Sequence, residues 1–190
     1  MLSLLTERYI SLITSLDIVH KRYFFNKIDF KDKMIGILGA RGVGKTTFLL
    51  QYLKESALPV SKKLYISADS IEMSNVSLFE LAKEFSSKGG KLLVVDEIHK
   101  YPNFQQHLKQ IFDFLDLKII FSGSSALSLE NAKSDLSRRA VLYRVKGLSF
   151  REFLELKTGE AFKSYTLVLI SLHSDTCFGF IRTVAGEYFL

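Results

Sequence analysis

Gly39-Ala40-Arg41-Gly42-Val43-Gly44-Lys45-Thr46 decides how this 190-residue chain folds. The stretch fits G-x-x-x-x-G-K-[ST] at every position. Ahead of it, Met34-Ile35-Gly36-Ile37-Leu38 is a short apolar run ended by glycine, which predicts a buried strand. Behind it, Thr46 to Lys54 reads as a helix, and Pro59 marks the loop that follows. Strand, glycine loop and helix in this order build a cradle for phosphate. The glycines let the backbone turn its N–H groups inward, and the helix N-terminus adds partial positive charge at the same place. Lys45 supplies a full charge to β- and γ-phosphates, and the Thr46 hydroxyl is placed to ligate magnesium. Gly39, Ala40, Arg41, Gly42, Val43, Gly44, Lys45, Thr46 and Thr47 are therefore the expected nucleotide-binding residues, with Mg·ATP as the ligand.

Further along, Leu92-Leu93-Val94-Val95-Asp96-Glu97 is an apolar strand ending in two acids. An acid in that place holds magnesium in P-loop proteins, usually through water. Asp96 takes that part beside Thr46. Glu97, one residue on, points the other way and is the candidate general base for an attacking water. Between Lys45 and Asp96 lie a helix, a strand at Lys63 to Ser67, and another helix, so one strand separates the two motifs in sequence. That spacing is that of ATPases with an additional strand and a catalytic glutamate. A GTPase fits worse: Asp96-Glu97-Ile98-His99 is not D-x-x-G, and Asn131 to Asp135 has the letters of N-K-x-D without its spacing.

The remaining periodicities complete an α/β pattern. Leu5, Tyr9, Leu12, Ile13 and Leu16 recur at helical spacing over roughly the first twenty residues. Ser77 to Ser87 is a helix with Ser77 and Glu80 at capping-box spacing and Gly89-Gly90 closing it. Phe104 to Leu115 is a helix, Ile119-Ile120-Phe121 a fourth strand, Ala140 to Val145 a fifth, and Phe150 to Lys157 a short helix. Strands alternating with helices predict a parallel sheet covered on both faces.

Composition narrows the class. Apolar residues make up 47% of the chain, ordinary for a globular core, and the net charge of +6 is spread out rather than run together. The charge suits an anionic ligand or occasional contact with nucleic acid, and the plainer reading is a solvated surface rich in lysine. Cys177 stands alone, so no internal disulfide or multi-cysteine zinc site is available, and a reducing cytoplasm is the expected compartment. Glu7 and Arg8 break the N-terminal apolar pattern too early for a signal peptide, and no apolar run has the length of a membrane span. The four histidines show no metal-ligand spacing and read as surface or core residues, His99 and His107 among them.

Two further features bear on hydrolysis. The fourth strand ends in Ser122-Gly123-Ser124-Ser125, at the edge of the sheet that faces the ligand. Ser122 and Ser124 are both candidates to touch the γ-phosphate or the water, Ser124 being the preferred one. Arg138 and Arg139 precede the fifth strand, and either is a candidate arginine finger.

Taken together, Gly39 to Thr47, Val94 to Lys100 (V-V-D-E-I-H-K), Phe121 to Ser125 (F-S-G-S-S), Leu136 to Arg139 (L-S-R-R) and Gly147 to Leu154 (G-L-S-F-R-E-F-L) resemble the prokaryotic AAA-family ATPases of the archaeal ATPase type. The resemblance runs from about Lys21 to Lys157. It implies a three-layer core with sheet order 5-1-4-3-2, and it implies for Lys45, Thr46, Asp96 and Glu97 the roles already given. It makes Arg139 the match to the arginine of the family's L-x-G-R, with Arg138 in place of the glycine. The expected division is an N-terminal helical segment over 1–30, the ATPase domain over 31–158 and a tail over 159–190. Members of the family usually continue into a C-terminal domain of well over a hundred residues. Residues 161–190 hold only Lys163, Asp175, Arg182 and Glu187 as charged side chains, so a truncated or frame-shifted end is expected, against a last packed helix.

The expected activity is ATP hydrolysis with Mg2+, coupled to a protein partner, to further copies of the chain, or to DNA. The alternative is a nucleotide-dependent switch with slow turnover until a partner supplies an arginine. A helicase would fit D-E-x-H at Asp96 to His99, but it needs a second motor domain for which no room exists. A small-molecule kinase needs an Arg-rich lid, which is not found.

Overall fold

A computed structural model describes residues 1–16, 21–124, 136 and 138–163. Residues 17–20, 125–135, 137 and 164–190 lie outside it, and with them Ser125, the Asn131 to Asp135 stretch, Cys177 and most of the tail.

Five strands form one parallel sheet: β1 (Met34–Gly39), β2 (Lys63–Ser67), β3 (Leu92–Asp96), β4 (Lys118–Ser124) and β5 (Val141–Val145). Their order across the sheet is β2-β3-β4-β1-β5, the expected 5-1-4-3-2 read from the other edge. The fold is thus the α/β architecture of a P-loop core. β1 and β3 are buried at every position, as strands covered on both faces must be. Each fully buried Leu or Ile in them contributes on the order of 1.5–3 kcal/mol of transfer free energy.

The helices are α1 (Leu2–Ser15), α2 (Lys45–Glu55), α3 (Leu78–Ser87), α4 (Phe104–Phe114) and α5 (Phe150–Thr158). α2 packs on β1, β3 and β4; α1 packs against β2 and touches α2 and α3; α3 and α4 pack on each other. Right-handed crossovers put α2 on one face of the sheet and α3 and α4 on the other. Leu5 and Tyr9 carry α1 into the shared core. α1 is shorter than its periodicity predicts, ending at Ser15.

β4 differs most from expectation. Ser122-Gly123-Ser124 reads locally as a turn, yet it continues the strand, with Ile37 opposite Ser122 and Gly39 opposite Ser124. Pairing with the buried β1 overrides the weak strand preference of Ser and Gly.

The chain divides into two compact units, residues 1–147 and 148–190. Of the second, α5 is described. It starts on a full capping box, in which the Ser149 hydroxyl accepts from the Glu152 N–H and the Glu152 carboxylate accepts from the Ser149 N–H at 2.8 Å.

Candidate functional site

The phosphate loop leaves the carboxyl end of β1. Gly42 and Gly44 lie at φ +80° and +85°, in the left-handed region where a side chain is strained, and Gly44 is the N-cap of α2. Lys45 is only 5% exposed and folds back over the loop, donating to the Gly39 carbonyl at 3.1 Å and the Ala40 carbonyl at 2.9 Å. Those carbonyls occupy the ammonium as phosphate oxygens would. Behind the loop, Arg22 donates to the Val43 carbonyl at 2.8 Å and to the carbonyls of Lys146 and Gly147 at 3.1 Å each. One guanidinium therefore ties the loop to the end of β5. Arg22 carries no local signal in the sequence, because these backbone partners lie 21 or more residues away.

Asp96 stands at the end of β3 and is 2% exposed. Its Oδ2 accepts from the Thr46 hydroxyl at 2.6 Å and from the Tyr65 hydroxyl at 2.9 Å. Its Oδ1 accepts from the Ser122 hydroxyl and from the Glu97 N–H at 3.0 Å. A buried carboxylate needs such donors. Tyr65 was not foreseen. Burial first, and the Asp96 charge next, push its phenol far above the usual range, so it remains a donor. Thr46 and Asp96 present two hard oxygens side by side, which suits a magnesium ion that keeps several waters. Among the described residues no group of three or more His, Cys, Asp or Glu gathers to hold a metal ion.

Glu97 has φ +52°, uncommon for a residue with a side chain. Such a residue costs on the order of 1–3 kcal/mol and persists where its surroundings over-determine it. Here its N–H is shared between Asp96 and the Ser122 hydroxyl, the latter at 3.0 Å. The turn Ile98–Lys100 follows, with Ile98 fully buried.

These parts meet in a cleft of about 670 Å3 whose lining includes Lys45, Thr46, Glu97, His99 and Ser124. Arg41, Asp69 and Lys100 also face it. Ser124 therefore reaches the cleft, whereas Ser122 is fully buried and engaged by Asp96 and Glu97. His99 is a correction to the sequence reading, since it lines the cleft rather than lying in ordinary surface or core. Its Nδ1 accepts from the Ser124 N–H at 3.3 Å, and its Nε2 lies 3.5 Å from the Glu97 carboxylate. No local pattern signals this, because Ser124 arrives from another strand. His107 is half-buried; it accepts from the Phe79 N–H, meets Tyr101 edge-on, and burial lowers its pKa.

Arg139 is not part of this cleft. It lies before the amino end of β5, which pairs Val141 with Ile35, whereas the loop follows Gly39 at the other end of β1. Its guanidinium meets Asp113 of α4 through two bonds of 2.9 and 3.1 Å. That contact holds the Asp113 carboxyl below the usual carboxylate range. Arg138 is exposed.

The chain is similar to several known proteins. An uncharacterized protein of Methanocaldococcus jannaschii, MJ1637, is 33% identical over 135 residues, which cover 66% of this chain. The match spans only 28% of that protein's length. The structure of the S. cerevisiae Hsp104–ADP complex superposes with a TM-score of 0.59 at 20% identity, covering 84% of this chain and 27% of that one. C. elegans PCH-2 gives a TM-score of 0.44 at 15% identity, over 76% of this chain and 41% of that one. Among the described residues no helix is long and apolar enough to cross a membrane. The AAA domain profile matches residues 31–154, from just before β1 into α5, and so takes in the whole sheet and the phosphate loop; the chain belongs to the AAA domain family of P-loop, nucleotide-binding proteins.

Proposed function

We propose that this chain hydrolyses ATP with Mg2+, using Lys45, Thr46, Asp96 and Glu97 as its chemical parts. The observation that carries the reading is the 2.6 Å contact between Thr46 and Asp96 with Glu97 in the same cleft. It joins the phosphate loop to the end of β3 through residues fifty positions apart. In this reading the loop amides hold the phosphates, and Lys45 leaves the Gly39 and Ala40 carbonyls for the β- and γ-oxygens. Thr46 and Asp96 would hold Mg2+, which when bound neutralises charge on those oxygens. Glu97 accepts a proton from the attacking water while the γ-phosphorus parts from the bridging oxygen, releasing ADP and phosphate. Ser124 contacts the γ-phosphate or the water. The ATPase unit is taken as residues 31–158 and is read as one of the archaeal ATPase type.

A switch with slow turnover is the second reading. It is favoured by the position of Arg139, which leaves the cleft of a lone chain without that charge. A neighbouring copy or a protein partner would then supply the arginine. A nucleic-acid partner has only the modest net charge of +6 behind it.

Calorimetric titration of Mg·ATP into the wild type and Lys45→Ala tests the site, and phosphate release from Glu97→Gln tests the chemistry. Lys45→Ala should lose most of the affinity. Glu97→Gln should bind as the wild type does and turn over about 10²–10⁴ times more slowly. A folded wild type that does not bind Mg·ATP refutes the proposal, and a Glu97→Gln variant with full turnover removes Glu97 from the mechanism.

A further inference from the structure

We propose that His99 is the positioning residue of Glu97, a role that rests on reading Glu97 as the general base. Glu97 begins a backbone segment fixed at both ends. Its N–H is held by Asp96 and Ser122, and the next residue, Ile98, is fully buried. The backbone is thereby set, but a glutamate side chain keeps three torsions of its own, and proton abstraction needs the carboxylate aimed to within a fraction of an ångström. The contact that aims it is His99. The imidazole side chain is 15% exposed and is walled in by the cleft.

The ring's two nitrogens are assigned by their partners. Nδ1 accepts the Ser124 N–H at 3.3 Å, so the ring proton belongs on Nε2. Nε2 stands 3.5 Å from Glu97 Oε2, close enough for charge–dipole attraction and slightly long for a full hydrogen bond. A neutral imidazole thus spans from a backbone amide of β4 to the carboxylate. Its anchor is the ladder of a central strand, since Ser124 is paired with Gly39 of β1. The carboxylate is in this way referenced to the sheet edge where the phosphate loop begins.

The test separates the two ends of the ring. Gln places a donor near the Nε2 position, whereas Asn places an acceptor near the Nδ1 position. The full chain is made as His99→Ala, His99→Gln and His99→Asn, with His99→Ala also combined with Glu97→Gln. Mg·ATP affinity, single-turnover rate and thermal midpoint are measured for each. His99→Ala should slow turnover about ten- to a hundredfold with affinity within about twofold of wild type. His99→Gln should recover most of the rate and His99→Asn should not. In the Glu97→Gln background, His99→Ala should cost nothing further, because the two act as one unit.

Recovery by Asn but not Gln would overturn the proposal and reduce His99 to a brace for β4. So would a full additive loss in the Glu97→Gln background, or a loss of affinity with turnover intact. A wild-type rate in Glu97→Gln alone identifies failure of the underlying reading, and the positioning role falls with it.

Discussion

Asp96 gathers four donors from four segments: Thr46 from α2, Tyr65 from β2, Ser122 from β4 and the N–H of Glu97. Two of these were legible in the sequence, because motif spacing puts Thr46 and the Asp-Glu pair at one end of a parallel sheet. Tyr65 was not, since an aromatic in a strand ordinarily signals packing. Ser122 and Ser124 share a face of β4, and residue type alone does not separate them. Depth does: Ser122 is level with Asp96 and is consumed by it, while Ser124, two residues on, emerges into the cleft. Tyr65→Phe should destabilise the fold by about 1.5 kcal/mol, toward the low end for a bond to a charged group because Tyr65 keeps some exposure. Urea denaturation reads this as a lowered midpoint. The same substitution in Asp96→Asn should cost clearly less, and equal losses in the two backgrounds would show that the bond carries nothing specific.

At the scale of elements, the sequence locates what periodicity and caps define. β2 runs from Lys63 to Ser67 as predicted, and α3 ends at Ser87 before Gly89 turns at φ +86°. The Ser77 hydroxyl accepts from the Glu80 N–H at 3.3 Å, as the capping spacing predicts. Ser77→Ala should therefore cost about 1 kcal/mol, seen as a lower thermal midpoint, with Mg·ATP affinity unchanged since α3 does not reach the cleft. An unchanged midpoint would mean that α3 is held by its packing on α4 alone. What periodicity does not show is tertiary pairing. β4 outruns its apolar core by three residues because β1 pairs with it, and those residues bring the serines to the site. The short turn that presents His99 likewise has no repeating pattern to reveal it.

At the scale of the molecule, the sheet has two ends, and the candidate chemistry is divided between them. Arg139 precedes β5 by two residues, and β5 reaches the level of Gly39 only at Val145. The rise along β5 from Val141 to Val145 alone is about 13 Å, beyond the reach of an arginine side chain. Arg139 therefore cannot serve the phosphate loop of its own chain, and a finger role requires a second copy to bring its own β5 end to the first copy's cleft. Such a head-to-tail contact is heterologous, so two differently defective copies can complement one another. Arg139→Ala should bind Mg·ATP as the wild type does but lose the part of turnover that rises with protein concentration. Lys45→Ala lacks a working loop but keeps Arg139. Mixing the two defective variants should restore that lost turnover in Arg139→Ala clefts, to a level set by how often a Lys45→Ala copy sits beside them. If the mixture gains nothing and the wild-type rate per chain is flat with concentration, Arg139 has a structural role, of which its pair with Asp113 is a part. The missing charge must then come from a different protein, which is the condition the switch reading describes.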